Sequence, residues 1–315
     1  MSGQVLYVDF GADNSVRLAM SEAGQRPPKA MVYHCVSLKD FDQALTDFLQ
    51  TRGTPQLLGA GLSVCGWEHD GSFEMPNLSY RIEREWIKDR LNISRVHLVN
   101  ESVATALAIE RLDKSEQTVV CEGNSLPTQV KALIAVGRSL GTTLTVTDEI
   151  GNVTSIPCAG GHSDLPATNE REFRVVSMLA RKYGHVSRAR AVSTPGFADI
   201  YDCLNAIDGR SVPSVSPLAV MDMARRGDLY AKEAVNLIMG WLAATASDTA
   251  LTTGARGGIF IAGSLFEQLG DLFDTTLFKE RYDHKGRLSR YVSGIPVYLV
   301  KTIELELVGL STLFG

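Results

Sequence analysis

Apolar and polar positions along the chain lay down one run of elements and then start it again. Residues 4–9 (QVLYVD) are apolar and β-rich, FGADN follows as a tight turn, and SVRLAM and KAMVYHC are further strand candidates joined by short connections. Residues 39–51 place Phe41, Leu45, Phe48 and Leu49 on one helical face. LLGAGLSVCG reads as a buried strand, WEHDGSFEMPN as a polar hairpin and EREWIKDRL as a helix. RVHLVN is a strand that runs straight into the helix ESVATALAIERL.

After a looser stretch at 122–129 the rhythm restarts: KALIAV is a strand, GRSLG a turn, and TLTVTD and NVTSIP two more strands. Helical patterns dominate from 169 to 254, broken by turn signals at 193–196 and 209–217. GGIFIAG and IPVYLV are further buried strands, and residues 304–314 read as a closing helix. Three strands with a glycine turn after the first, followed by alternating helices and strands, are thus begun twice. Two such halves describe an α/β protein of the two-domain actin/hexokinase-like type, a duplicated ribonuclease H-like fold with an interdomain cleft that takes nucleotide.

Composition narrows the function classes. The 315 residues are enough for two domains, and 44% hydrophobic with 21% charged residues is an ordinary globular mixture. A net charge of −5 offers no basic face for nucleic acid, so no nucleic-acid partner is expected. The apolar runs are too short to cross a bilayer, and MSGQVLYVDF lacks the basic and long apolar regions of a secretory signal; no membrane partner and a cytoplasmic location are expected. Five scattered cysteines without metal-ligand spacing read as reduced, mostly buried small residues.

Seven segments carry a resemblance. VDFGADNSVRLA, MPNLSYRIEREWIKDRLNISRVHLVNESVATALAI, AVGRSLGTTL, IPCAGGHSDLPATNERE, YGHVSRARAVSTPG, GGIFIAGSL and KGRLSRYVSGIPVYLV run in one colinear order from about residue 4 to 313 and resemble the corresponding segments of bacterial glucokinases. The resemblance implies a small domain of residues 1–108, to which a C-terminal helix at 301–315 returns, and a large domain of residues 109–300. It also implies ATP with Mg²⁺, phosphoryl transfer to the 6-hydroxyl of glucose, and a homodimer.

The same resemblance assigns residues to roles. In the first phosphate loop Gly11, Asn14 and Arg17 match the family, and Asp9 matches an aspartate that holds Mg²⁺ through water. A glycine turn lets backbone N–H groups approach phosphate oxygens. The family's Gly-Thr is Ala12-Asp13 here, which turns a hydroxyl donor into a carboxylate facing phosphate. Taken without the resemblance, the segment reads as a plain hairpin turn. The second loop keeps Gly137 and Gly141, while Arg138 and Ser139 replace a Thr-Gly pair. Arg138 reads either as a phosphate ligand or as a solvated loop arginine. Gly263, with Ser264 after it, ends a strand where backbone donors meet a nucleotide, or simply closes a core strand.

Asn100-Glu101 aligns with the family's Asn-Asp, whose aspartate is the catalytic base. The extra methylene of glutamate displaces the carboxylate by about 1.5 Å, and a misplacement near 1 Å costs about a hundredfold in rate. The alternative for Glu101 is a helix N-terminal carboxylate stabilised by the dipole. In the sugar pocket His162 remains, and Asn77 is similar to an asparagine near the sugar; each reads alternatively as a turn residue. The two pocket glutamates align with Ala159 and Ala189. Each lost acceptor is worth about 1.5–3 kcal/mol. The expectation is therefore weak or absent glucose turnover, with two alternatives: a non-catalytic regulatory or sugar- or nucleotide-binding protein with a protein partner, or a kinase for a different sugar-like acceptor.

Overall fold

The strand β1 (Gln4–Phe10) alternates its side chains between two faces, and both faces are covered. The computed structural model describes residues 3–11, 14–69, 72–74, 80–302 and 304–315. These fall into two compact units, Met1–Asp113 with Thr302–Gly315 and Lys114–Lys301.

In the first unit β1 is followed by β2 (Ser15–Glu22), β3 (Met31–His34), α1 (Leu38–Gln50) and β4 (Leu57–Val64). A small sheet of β5 (Trp67–His69), β6 (Ser72–Glu74) and β7 (Ile82–Glu83) leads to α2 (Arg84–Leu91), β8 (Arg95–Asn100) and α3 (Glu101–Ala108). The main sheet has the order β3-β2-β1-β4-β8: the first three strands are antiparallel, whereas β4 and β8 run parallel to β1. Ser37 caps α1 by accepting from Asp40 N, and Phe41, Leu45 and Phe48 of that helix pack on Leu6, Val8 and Phe10.

The second unit opens with β9 (Gln117–Cys121), a strand that the sequence pattern did not announce. It is short, and it pairs antiparallel with a strand far along the chain, so local periodicity carries no sign of it. Then come β10 (Lys131–Val136), β11 (Leu140–Thr147), β12 (Val153–Cys158), α4 (Glu170–Tyr183), α5 (Arg188–Ala191), α6 (Thr194–Ile207), α7 (Pro217–Arg225) and α8 (Leu229–Thr253). β13 (Gly258–Ala262), α9 (Leu265–Leu269), α10 (Thr275–Asp283), α11 (Ser289–Val292) and β14 (Val297–Val300) complete it. The turn signals at Ser193 and Pro195 become the start of α6, with Ser193 as N-cap and proline in the first turn.

The sheet order β12-β11-β10-β13-β14 repeats the order of the first sheet, with the same antiparallel and parallel pairings, and β9 is added at its edge. The duplication read from the sequence is therefore present strand for strand. α8 lies in the core of this unit, its Ala243, Ala246 and Ala250 allowing close packing, with Trp241 buried and its Nε1 donating to Pro166 O at 2.8 Å.

The closing helix α12 (Leu305–Thr312) belongs to the first unit. Leu307 and Leu310 join Val5, Tyr7, Ala19 and Ala104 in a cluster on the face of the sheet opposite α1. No described helix is long and apolar enough to cross a membrane.

Candidate functional site

Strand alternation decides where Asp9 points. Leu6, Val8 and Phe10 face α1, so Asp9 shares the other face with Val5 and Tyr7, under α3 and α12. Arg17 stands directly opposite Asp9 in β2 and donates from Nη1 to Oδ2 at 2.7 Å. Gly11 N–H donates to Ser15 O at 2.8 Å, and Asn14 takes a left-handed conformation (φ 62°) that asparagine tolerates well. Gly11 and Asn14 thus flank the connection from β1 to β2, and Asp9 and Arg17 stand on the two strands beside it. Asp13 and Asn77 lie outside the described residues.

Val64 of β4 pairs with Asn100 of β8, so the carboxyl ends of the parallel strands β1, β4 and β8 lie level. Asn100 caps α3: its Oδ1 accepts from Ser102 N at 2.9 Å while its amide donates to Gly66 O. Glu101 is the first residue of the helix and is brought beside Asp9. The Cys65 thiol hydrogen-bonds to its carboxyl.

These carboxylates repel one another. Burial, and then the charge of Glu306 on α12, push Asp9 up to about 8; Arg17 offsets part of this and Glu101 adds to it. Glu101 is also raised, first by burial and then by Glu306. Burial and the neighbouring Glu101 push the Cys65 thiol to about 12, which makes it a hydrogen-bond donor rather than a nucleophile at neutral pH. Arg17 holds Asp9, and no group of three His, Cys, Asp or Glu that could hold a metal ion directly is present among the described residues.

In the second unit the residues gather around the turn from β10 to β11. Gly137 N–H donates to Ser139 O at 2.9 Å, and Thr194 N–H, at the start of α6, donates to Gly137 O at 2.8 Å. Arg138 and Ser139 are exposed, and Gly141 pairs with Ala135. Gly263 sits beside this loop at φ 118°, and a Cβ there would lie 2.2 Å from Val136 O. A Cβ on Gly137 would lie 3.2 Å from Ser264 Oγ. Gly137, Gly263 and Ser264 therefore pack together at the carboxyl ends of β10 and β13.

Ala159 to His162 form a tight turn on β11: Gly160 N–H donates to Thr142 Oγ1 at 3.0 Å, and a Cβ on Gly161 would lie 2.0 Å from Leu140 O. A strap from the next segment joins it, since Arg188 N–H donates to Ser163 O at 2.9 Å and His185 Nε2 lies 2.9 Å from His162 O. His162 is exposed. Ala189, on α5, is only 7% exposed and packs in the apolar core.

Sequence reasoning missed Glu306, Thr105 and Cys65. Glu306 is a charged position in an otherwise apolar closing helix, and that anomaly was the available signal. Cysteines 35, 121 and 203 are buried as expected, Cys65 is half-buried, and Cys158 is exposed; all five are free.

Two units with the same five-strand order define the hexokinase-like two-domain α/β fold class. The glucokinase family model matches residues 6–315, and the chain belongs to the glucokinase family. A glucokinase of Aromatoleum aromaticum is 33% identical over 310 residues, covering 98% of this chain and 93% of that protein. A glucokinase-like protein of Caulobacter vibrioides is 32% identical, covering 94% and 92%. Among solved structures, a glucokinase from an Antarctic psychrotroph superposes with a TM-score of 0.89 at 23% identity, covering 100% and 99%. A Balamuthia mandrillaris glucokinase solved with glucose superposes with a TM-score of 0.79 at 17% identity, covering 99% and 94%.

Proposed function

We propose that this chain is a glucokinase-family protein whose own turnover of glucose is weak or absent. The observation that carries the reading is the pair of alanines where the family's sugar glutamates align. Neither offers a side-chain acceptor, and Ala189 is folded into the apolar core. Losing two charged hydrogen bonds of about 1.5–3 kcal/mol each weakens hexose binding by roughly two to four powers of ten. Glu101 in the base position is longer than aspartate, and burial, then the charge of Glu306, hold its carboxyl above the usual carboxylate range. Asp13 adds a like charge to the phosphate loop.

ATP is the proposed donor, with its phosphates against Gly137–Ser139 and Gly263–Ser264. Magnesium is proposed to accompany the nucleotide, with Asp9 holding it through water. Asn14 and Arg17 are assigned to the phosphate side, and Asn77, Asn100 and His162 to the sugar side. The assembly is proposed to be a homodimer.

Assay of the purified chain with Mg-ATP and a panel of sugars is expected to yield little glucose 6-phosphate. Turnover near a typical enzyme value of about 10 s⁻¹ overturns the reading. Transfer to another sugar in the panel turns it into a kinase for that acceptor. A thermal shift with nucleotide or sugar in the absence of turnover identifies a binding or regulatory protein.

A further inference from the structure

The helix that carries Glu101 is seated on the C-terminal helix by three features, which converge on one side chain. The first is a close approach. Gly309 of α12 faces Ala104 of α3 so tightly that a Cβ at 309 would lie 1.7 Å from Ala104 O, and the two helices lock in one register. The second is a hydrogen bond. Thr105 Oγ1 lies 2.8 Å from the carbonyl oxygen of Glu101 and 3.1 Å from Oε1 of Glu306. A threonine hydroxyl has one hydrogen, for which these two acceptors compete; donated to Oε1 of Glu306, it ties the last helix of the chain to α3. The third is strain. Glu304, the residue before α12, is left-handed at φ 60°, a conformation that costs a non-glycine residue about 1 kcal/mol. Its own carboxylate accepts from Ala30 N at 3.2 Å, which anchors the strained turn to the strand side of the unit. Such strain persists where the surroundings over-determine it.

We propose that Glu306 is a positioning residue for Glu101, acting through Thr105 to hold α3, the helix that Glu101 opens, in place. The proposal rests on the reading of Glu101 as the base position. Glu306 does not touch the reacting atoms in this scheme. It fixes the helix whose first residue does, and the glycine at 309 sets the register that lets it reach. The groups facing Glu306 are Asp9 on β1 and Glu101 with Thr105 on α3, and Arg17 on β2 acts on both Asp9 and Glu101. A merely space-filling residue at 306 needs no partner at Thr105; a positioning residue does.

Hydrogen–deuterium exchange of the full chain tests the link without requiring turnover. Thr105→Val, which keeps the shape and removes the hydroxyl, and Glu306→Ala are each expected to speed exchange in residues 101–108 by about tenfold. Exchange in β10 and β13 of the other unit, the internal reference for folding, is expected to stay unchanged. The double variant is expected to exchange no faster than either single one, and Thr105→Ser to retain the wild-type rate. Unchanged exchange in both single variants overturns the proposal, and so do additive effects in the double variant or failure of serine to substitute. Where any sugar is phosphorylated, kcat is expected to fall in Thr105→Val while KM for that sugar stays the same. A chain that transfers no phosphoryl group defeats the kinase reading, and the exchange result still decides the role of Glu306.

Discussion

Arg17 holds Asp9 across the β1–β2 pair with a 2.7 Å contact from Nη1 to Oδ2, and this ties down a carboxylate that Glu306 and Glu101 repel. Asp9 is only 3% exposed, whereas the arginine side chain keeps 35% of its surface in solvent. The pair is therefore an inward carboxylate met by a cation at the boundary, and removing the cation strands the charge.

Arg17→Met is expected to destabilise the chain by about 1–3 kcal/mol, below the full penalty for a broken buried pair because the arginine is partly solvated and Asp9 can take up a proton. The loss is expected to be larger at pH 9 than at pH 6, since Asp9 must ionise without its partner at the higher pH. Urea unfolding at the two pH values measures it, and equal losses would contradict the assignment of Arg17 to Asp9.

The raised carboxyls make stability depend on pH with a definite sign. An aspartate near 3.9 when unfolded and about 8 when folded binds its proton more tightly in the folded state. Its contribution is fully present below about pH 4 and is lost as pH rises through the folded value. Glu101 acts in the same direction. Stability is expected to fall between about pH 4 and pH 8, by at most about 1.4 kcal/mol per pH unit from Asp9. Glu306→Gln, which removes one repelling charge, is expected to flatten the fall, and a slope identical to the wild type would rule out carboxylate crowding as its cause.

Gly263 tests the glycine packing of the second unit. Gly263→Ala combines a φ of 118° with a Cβ 2.2 Å from Val136 O and is expected to cost about 3 kcal/mol or more. Gly209→Ala, also at positive φ (71°) but with nothing within 4 Å, isolates the backbone term at about 1 kcal/mol. Thermal unfolding of both variants gives the comparison. Equal losses would mean that nothing approaches Gly263 closely.

Restoring acceptors tests the sugar site. Ala159→Glu, Ala189→Glu and Glu101→Asp together are expected to raise glucose phosphorylation more than the sum of the single changes, because residues that act as a unit are not additive. No gain in the triple variant moves the defect to the phosphate loops around Asp13 and Arg138. Since Ala189 lies in the core, a stability measurement accompanies the assay.

Much of this architecture was written in local pattern. The alternation in QVLYVD and KALIAV, the helical stripe of Phe41, Leu45 and Phe48, and the two glycine turns were legible because each is a property of a few neighbouring residues. The strand Gln117–Cys121 was not, since its pairing partner lies at Val297–Val300. In the site, Asp9, Glu101, Gly137 and Gly263 were singled out through colinear motifs, whereas Cys65 and Glu306 belong to no motif and Thr105 lies in one that gives it no role.

The sequence by itself determined the elements, their duplicated order and the family, because hydrophobic period and short motifs are local and survive without knowledge of distance. Tertiary structure alone decided that Glu306 on the last helix stands over Asp9 on the first strand and Glu101 on α3. A carboxylate's protonation depends on burial and on charges a few ångströms away, and those neighbours are chosen by packing rather than by position along the chain.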